Sequence, residues 1–144
     1  MEKSSFARCY DSCPLLLWTI LAVASKSVEQ HSYLHLLLVD PIRRLAFEAT
    51  QSGSQSVTLV QALILLCCWP LPHTLHATDP SWLYSGMAIH IATQLGLHRP
   101  HHHAEFMILA NPDFSDTLAR KNTWLACFII NQLYVCYLHL ATKL

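Results

Sequence analysis

Apolar residues in this chain recur at three- and four-residue intervals and rarely alternate with polar ones, the spacing of helices rather than strands. "PLLLWTILAVASK" opens on Pro14, which suits a first helical turn, and carries Leu15, Trp18, Ile20 and Leu21. "HSYLHLLLVDPIRRLAFEAT" places Leu34, Leu37 and Leu38 before Asp40-Pro41 and Ile42, Leu45 and Ala46 after it. It reads as one kinked helix or as two shorter ones, with Asp40-Pro41 as a start signal. "QSGSQS" is a loop by composition. In "VTLVQALILLCCW" apolar residues occupy nearly every side, the pattern of a helix at the centre of a bundle. Pro70 and Pro72 end it.

The next segment, "DPSWLYSGMAIHIATQLGLHRP", has sharp predicted boundaries. Asp79 is the expected N-cap and Pro80 the first helical residue. Tyr84, Ala88, Ile91 and Leu95 fall on one face, widened by Leu83 and Met87. Gly86 costs about 1 kcal/mol against Ala inside a helix, so its presence beside Ser85, Ala88 and Ala92 predicts close approach of a neighbouring backbone. Gly96 is expected to end the helix in the left-handed conformation, with Leu97 folding back as the hydrophobic contact of that cap. After a connector comes a last helix, capped by Ser115 or Asp116 and apolar around most of its circumference. The pattern predicts an all-α layered bundle of about five helices, a fragment of a larger α-helical domain, over residues 13–144, with residues 1–12 as a loose lead-in.

Composition narrows the function classes. The chain has 144 residues, of which 53% are hydrophobic and 12% charged, so it has ample apolar mass for one folded domain. Nine basic residues balance nine acidic ones and no Lys/Arg run occurs. A nucleic-acid-binding surface is therefore not expected of this chain alone. Six cysteines lie mostly in apolar surroundings, as expected of buried free thiols in a reducing, intracellular setting. The longest apolar run, Trp124–Ala141, contains Asn131, Gln132 and His139, which argues against a membrane-spanning segment.

No residue set makes a persuasive active site or metal centre. His31 and His35 stand one helical turn apart, but Ser32 follows His31 where a zinc hydrolase motif needs Glu. His101–His103 and the His73/His76 pair read as solvated loop residues. Cys9 and Cys13 lack zinc-ribbon spacing. No Gly-rich phosphate loop and no Gly-x-Ser-x-Gly elbow occurs. The chain is read as non-enzymatic, with no catalytic, cofactor-binding or metal-binding residue. A membrane-associated or metal-binding helical protein is the alternative.

At "WLYSGMAIHIATQLGLHR" the sequence resembles the central regulatory region of fungal transcription factors whose DNA-binding part is a binuclear zinc–cysteine cluster. Trp82, Gly86, Ala88, His90, Ala92, Leu95, Gly96, Leu97, His98 and Arg99 carry the resemblance. Leu59, Val60, Gln61, Ala62 and Leu63 match the family's preceding helix. "PLLLWTILAVASK" matches its first helix, and Arg120, Trp124 and Phe128 its following one. The likeness runs from about Cys13 to Leu133. It departs at Asn131, where the family usually has Asp, and at "LYVCYLHLATKL", where a Gly-Arg-Pro is usual.

The six-cysteine cluster needs two Cys-x2-Cys pairs, and none occurs here. The zinc of the family therefore belongs to a part that this chain lacks, and the chain is expected to be a partial regulatory domain or the product of a truncated gene model. The resemblance implies a nuclear protein acting in RNA polymerase II transcription through protein or small-effector contacts. It also implies that His98 and Arg99 face inward, with Asp113, Asp116 and connector carbonyls as acceptors for Arg99. The apolar last helix predicts self-association or docking of another protein.

Overall fold

A computed structural model describes residues 5–27, 32–51, 55–72, 79–99 and 117–141, without the side chains of 5, 32 and 137–141. Six helices make up the described fold: α1 (Ser5–Ser12), α2 (Pro14–Ser27), α3 (Ser32–Gln51), α4 (Val57–Cys68), α5 (Ser81–Gln94) and α6 (Thr117–Ala141). Among the described residues there is no strand. The all-α expectation holds.

The lead-in expected before Cys13 is helical from Ser5 onward. Cys9 packs against the core, and the Cys13 amide donates to the Cys9 carbonyl at 2.9 Å. Pro14 has no amide proton with which to extend α1, so it opens α2 instead. The two helices are separated by one residue, which polar composition alone did not reveal.

Asp40-Pro41 does not start a new helix. α3 runs through it for 20 residues. Its buried side is His35, Val39, Ile42 and Ala46, spaced four, three and four apart. Packing of this continuous face against α2 outweighs the backbone hydrogen bond that Pro41 cannot make.

α4 lies at the centre, against α2, α5 and α6. Its residues Val57, Leu59, Val60, Ala62, Leu63, Ile64, Leu66 and Cys67 are all buried. The all-round apolar pattern predicts this position. Ser56 caps it, with Oγ accepting from the Leu59 amide at 3.1 Å. The Pro-rich exit is held from α3, where Arg43 Nη2 donates to the Pro72 carbonyl at 2.6 Å. One group of helices (α4, α5, α6) thus packs mutually, and the other (α1, α2, α3) joins it where α2 meets α4.

Candidate functional site

The sequence motif falls on α5 and its C-terminal corner. At the N-terminal end, Asp79 Oδ1 accepts from the Ser81 amide at 3.0 Å and from its hydroxyl at 2.6 Å. The Tyr84 amide donates to the Pro80 carbonyl at 2.9 Å. The N-cap residue is therefore Pro80, not Asp79, and the helix begins at Ser81; Asp79 stands one residue before the expected cap position and holds Ser81 from there.

The C-terminal end is a Schellman cap. Gly96 has φ 67°, a conformation that residues with a Cβ rarely adopt. The Leu97 amide bonds back to Ala92 O at 2.9 Å and the Gly96 amide to Thr93 O at 3.0 Å. Leu97 and Leu95 are fully buried, and each such side chain contributes about 1.5–3 kcal/mol by leaving water. The expected stop signal and its hydrophobic contact are both present.

Three expectations about this motif need correction or division. Arg99 does not turn inward. Its side chain is exposed, while Asp113 and Asp116, the expected acceptors, lie outside the described residues. His98 is half-buried and stacks on Trp124 of α6, with ring centroids 5.7 Å apart. The arginine that reaches the cap is Arg120. It is 3% exposed, and its Nη2 donates to the Leu95 carbonyl at 2.7 Å. Charge-assisted donation to a free C-terminal carbonyl suits this end of a helix. Position 99 follows the cap and projects to solvent, whereas position 120 opens the helix that packs across it.

Gly86 does not mark a close approach. A Cβ built there meets no described atom within 4 Å beyond its own helix turn. Small size at Ser85, Ala88 and Ala92 serves the buried face of α5, and Gly86 stands half-buried beside that face. Trp82, the aromatic of the motif, is 56% exposed. Ala88, Ala92, Leu95, Gly96 and Leu97 are buried together.

α6 is organised differently from its hydrophobic pattern. Its inward side carries Arg120, Thr123, Cys127, Asn131 and Tyr134. Thr123 Oγ1 accepts from Gln61 Nε2 at 3.0 Å. Asn131 Nδ2 donates to Ser85 Oγ at 3.2 Å. The Tyr134 hydroxyl donates to the Cys67 carbonyl at 3.1 Å. Arg120 meets the end of α5 and Asn131 its first half, so the two helices run antiparallel. Sequence reasoning missed Gln61, Thr123, Asn131 and Tyr134 as contact residues. The seven-residue spacing of Arg120, Cys127 and Tyr134 is the signal that could have found them.

The outward side of α6 is mainly apolar, with Asn122 and Gln132 among its exposed residues. Leu118 (64%), Leu133 (63%), Leu125 (56%), Ile129 (56%), Val135 and Phe128 are all exposed. A second apolar surface lies between α2 and α3, where Trp18, Leu21, Ala24, Ser25, Leu34, Leu37 and Leu38 line a groove of about 520 Å³.

The chemistry available is limited. Burial pushes the Cys67 thiol up to about 12 and the Cys127 thiol up to about 11, so neither is a thiolate at neutral pH. His35 is buried, with Nδ1 3.1 Å from the Ala22 carbonyl. Burial pushes its pKa down, the Ala22 bond offsets part of this, and nearby Lys26 pushes it further down. Its partner in the expected pair, His31, lies outside the described residues, as do His73, His76 and His101–His103. No group of three or more His, Cys, Asp or Glu side chains converges among the described residues. No helix among the described residues is long and apolar enough to cross a membrane.

Comparison with known proteins bears on the same segment. The family described as "Fungal specific transcription factor domain" matches residues 2–142. "Putative transcription factor SEF1" of Kluyveromyces lactis is 33% identical over 141 residues, covering 97% of this chain and 12% of that protein. "Transcriptional regulatory protein SEF1" of Candida albicans is 33% identical over 138 residues, covering 90% of this chain and 14% of that protein. "Putative transcription factor SEF1" of Saccharomyces cerevisiae is 31% identical over 129 residues, covering 89% and 11%. The chain thus spans only a small part of these relatives. No solved structure matches. With the family match spanning nearly every residue from α1 to α6, the chain belongs to the fungal specific transcription factor domain family.

Proposed function

We propose that the domain acts in the nucleus in the regulation of RNA polymerase II transcription, without catalysis of its own, by presenting the outward face of α6 to another protein. The observation that carries this reading is the inverted arrangement of α6. Arg120, Thr123, Asn131 and Tyr134 are spent on fixing α4 and α5, while Leu118, Leu125, Phe128, Ile129, Leu133 and Val135 are left at the surface. Exposed apolar side chains contiguous along one helix mark an interaction surface. The relatives named as transcription factors support the regulatory setting.

The test tethers the chain to a heterologous DNA-binding domain in a yeast reporter strain. Reporter output is expected to differ from the tether alone. Leu125→Glu and Ile129→Glu are expected to abolish the difference while circular dichroism stays unchanged. Output equal to the tether alone, for both the wild-type chain and the variants, overturns the reading. Without the tether, the chain's zero net charge favours no tight sequence-specific DNA binding at physiological salt.

A second reading concerns a small effector. The α2–α3 groove has the volume and apolar lining of a ligand site. An apolar fluorescent probe such as anilinonaphthalene sulfonate is expected to bind there, and Leu37→Asp to abolish its signal. Binding unaffected by that change removes the groove as the site.

A further inference from the structure

The groove between α2 and α3 has a polar edge beside its apolar lining. Ser25 of α2 lines the groove, and its Oγ donates to the Ala22 carbonyl at 2.8 Å. His35 of α3 reaches the same oxygen, with Nδ1 3.1 Å away. Ser25 and His35 therefore meet at one acceptor, which holds the imidazole against the groove's wall. Leu34 and Leu38, on either side of His35 along α3, line the groove as well.

The hydrogen bonds fix where the protons sit at this edge. A carbonyl oxygen only accepts, so Nδ1 carries the ring proton and Nε2 presents a bare lone pair. Nε2 is buried and has no hydrogen-bond partner among the described residues. The side chain as a whole is 6% exposed. Ser25 spends its one hydroxyl proton on Ala22, which leaves its oxygen as a second acceptor. Burial above all, with a further push from Lys26, holds the His35 pKa below its ordinary value, so the ring keeps its lone pair at neutral pH. A buried acceptor left unmet is costly, and a donor that reaches it recovers that cost.

We infer that the groove binds an apolar alcohol, its hydrocarbon body lying on Trp18, Leu21, Leu34 and Leu37 and its hydroxyl donating to His35 Nε2. This rests on the reading of the groove as a small-effector site and adds the chemical class of the ligand. The edge selects among head groups. A carboxylate brings only acceptors to two acceptors. An ammonium donates, but stands close to the Lys26 charge that already acts on the ring. An ether has the body without the donor. A neutral hydroxyl supplies the donor with no charge to desolvate. Lys26 does not turn the groove into a carboxylate site, because its Nζ reaches toward the exit of α4, 3.5 Å from the Pro70 carbonyl. A volume of about 520 Å³ with few polar groups suits a small molecule. Leu34 is partly exposed, and rotation of such a side chain is the movement that admits a hydroxyl to the covered nitrogen.

Displacement of anilinonaphthalene sulfonate from the full chain at neutral pH tests the inference, with decanol, its methyl ether, decanoate and decylamine as competitors. Decanol is expected to displace the probe at about one-tenth of the concentration the ether needs, since one hydrogen bond to a buried acceptor separates the two. Decanoate and decylamine are expected to do no better than the ether. His35→Leu is expected to erase the difference between alcohol and ether while the probe still binds and circular dichroism is unchanged. The ratio measured on the wild-type chain decides the matter even where that variant does not fold. Equal displacement by alcohol and ether, or stronger displacement by decanoate or decylamine, overturns the alcohol. So does a folded His35→Leu chain that still prefers it. In each of these cases a probe signal lost with Leu37→Asp leaves the groove standing as a site. A signal that ignores Leu37→Asp removes the groove and the alcohol together.

Discussion

Arg120, near the start of α6, donates from Nη2 to the carbonyl of Leu95, the last residue before the left-handed Gly96. One guanidinium thus closes the end of α5 and fixes where α6 crosses it. Arg120→Met is expected to destabilise the domain by about 1–3 kcal/mol, because the buried carbonyl loses its donor. Arg120→Lys is expected to recover only part of this, since an ammonium does not reproduce the planar fork. Arg99→Ala, at an exposed position, is expected to stay within about 0.5 kcal/mol of wild type. Thermal denaturation of the three variants checks the set, and equal losses at positions 99 and 120 would reassign the lock.

Gly86→Ala is expected to stabilise the chain by about 0.4–1 kcal/mol. The added methyl meets no described atom within 4 Å, and the change reduces the freedom of the unfolded chain. Urea unfolding gives the sign directly. A loss of more than 1 kcal/mol would restore a close approach at this glycine.

The sequence made α5 legible almost residue by residue, because caps are local. Asp79, Gly96 and Leu97 act within one turn of themselves, and no distant partner changes what they do. Likewise α4 could be placed, since a helix apolar on every side fits only at the centre. The role of Arg99 was not legible, because an arginine's direction depends on which helix lies opposite. Arg120, 21 residues later, was the one in reach. Gly86 misled for a related reason, since smallness matters only if something stands close by. α6 misled most. Its apolar residues outnumber the places available against α4 and α5, and hydrogen bonds from Asn131 and Tyr134 decide which side faces in.

Stability is expected to fall at both ends of the pH scale. Folding holds His35 neutral, so its folded pKa lies below the ordinary value of 6.5. As pH falls below that value the unfolded chain binds the proton first, and stability drops until the folded pKa is passed. Lys26 also acts on this imidazole and pushes its pKa further down. At the alkaline end, unfolded thiols ionise near 9 while Cys127 and Cys67 stay protonated to about 11 and 12. The folded state then holds more protons, and stability falls as pH rises above about 9. Denaturation midpoints between about pH 5 and 10 check both slopes. His35→Gln is expected to flatten the acid limb, and an unchanged limb would place its origin elsewhere.

Cysteine reactivity should divide along the same lines. Iodoacetamide at neutral pH is expected to modify exposed Cys136 and to spare buried Cys67 and Cys127. Peptide mapping after a short exposure reads the order. Early modification of Cys67 would mean that α4 is accessible and that its central position is wrong.

The register between α4 and α6 is set by a polar pair across an otherwise apolar contact. Gln61 Nε2 donates to Thr123 Oγ1 at 3.0 Å, and Thr123 is buried. Shifting α6 by one residue would leave this amide facing hydrocarbon, so the bond restricts sliding that nonpolar packing would tolerate. Removing one partner strands the other, whereas removing both strands nothing. Gln61→Leu and Thr123→Val are each expected to cost about 1–3 kcal/mol, and the double variant less than their sum. The coupling energy from the double-mutant cycle is expected at about 0.5–1.5 kcal/mol by urea unfolding. Strict additivity would show that the two side chains do not hold α6 in place, and that Arg120 and Tyr134 set its register alone.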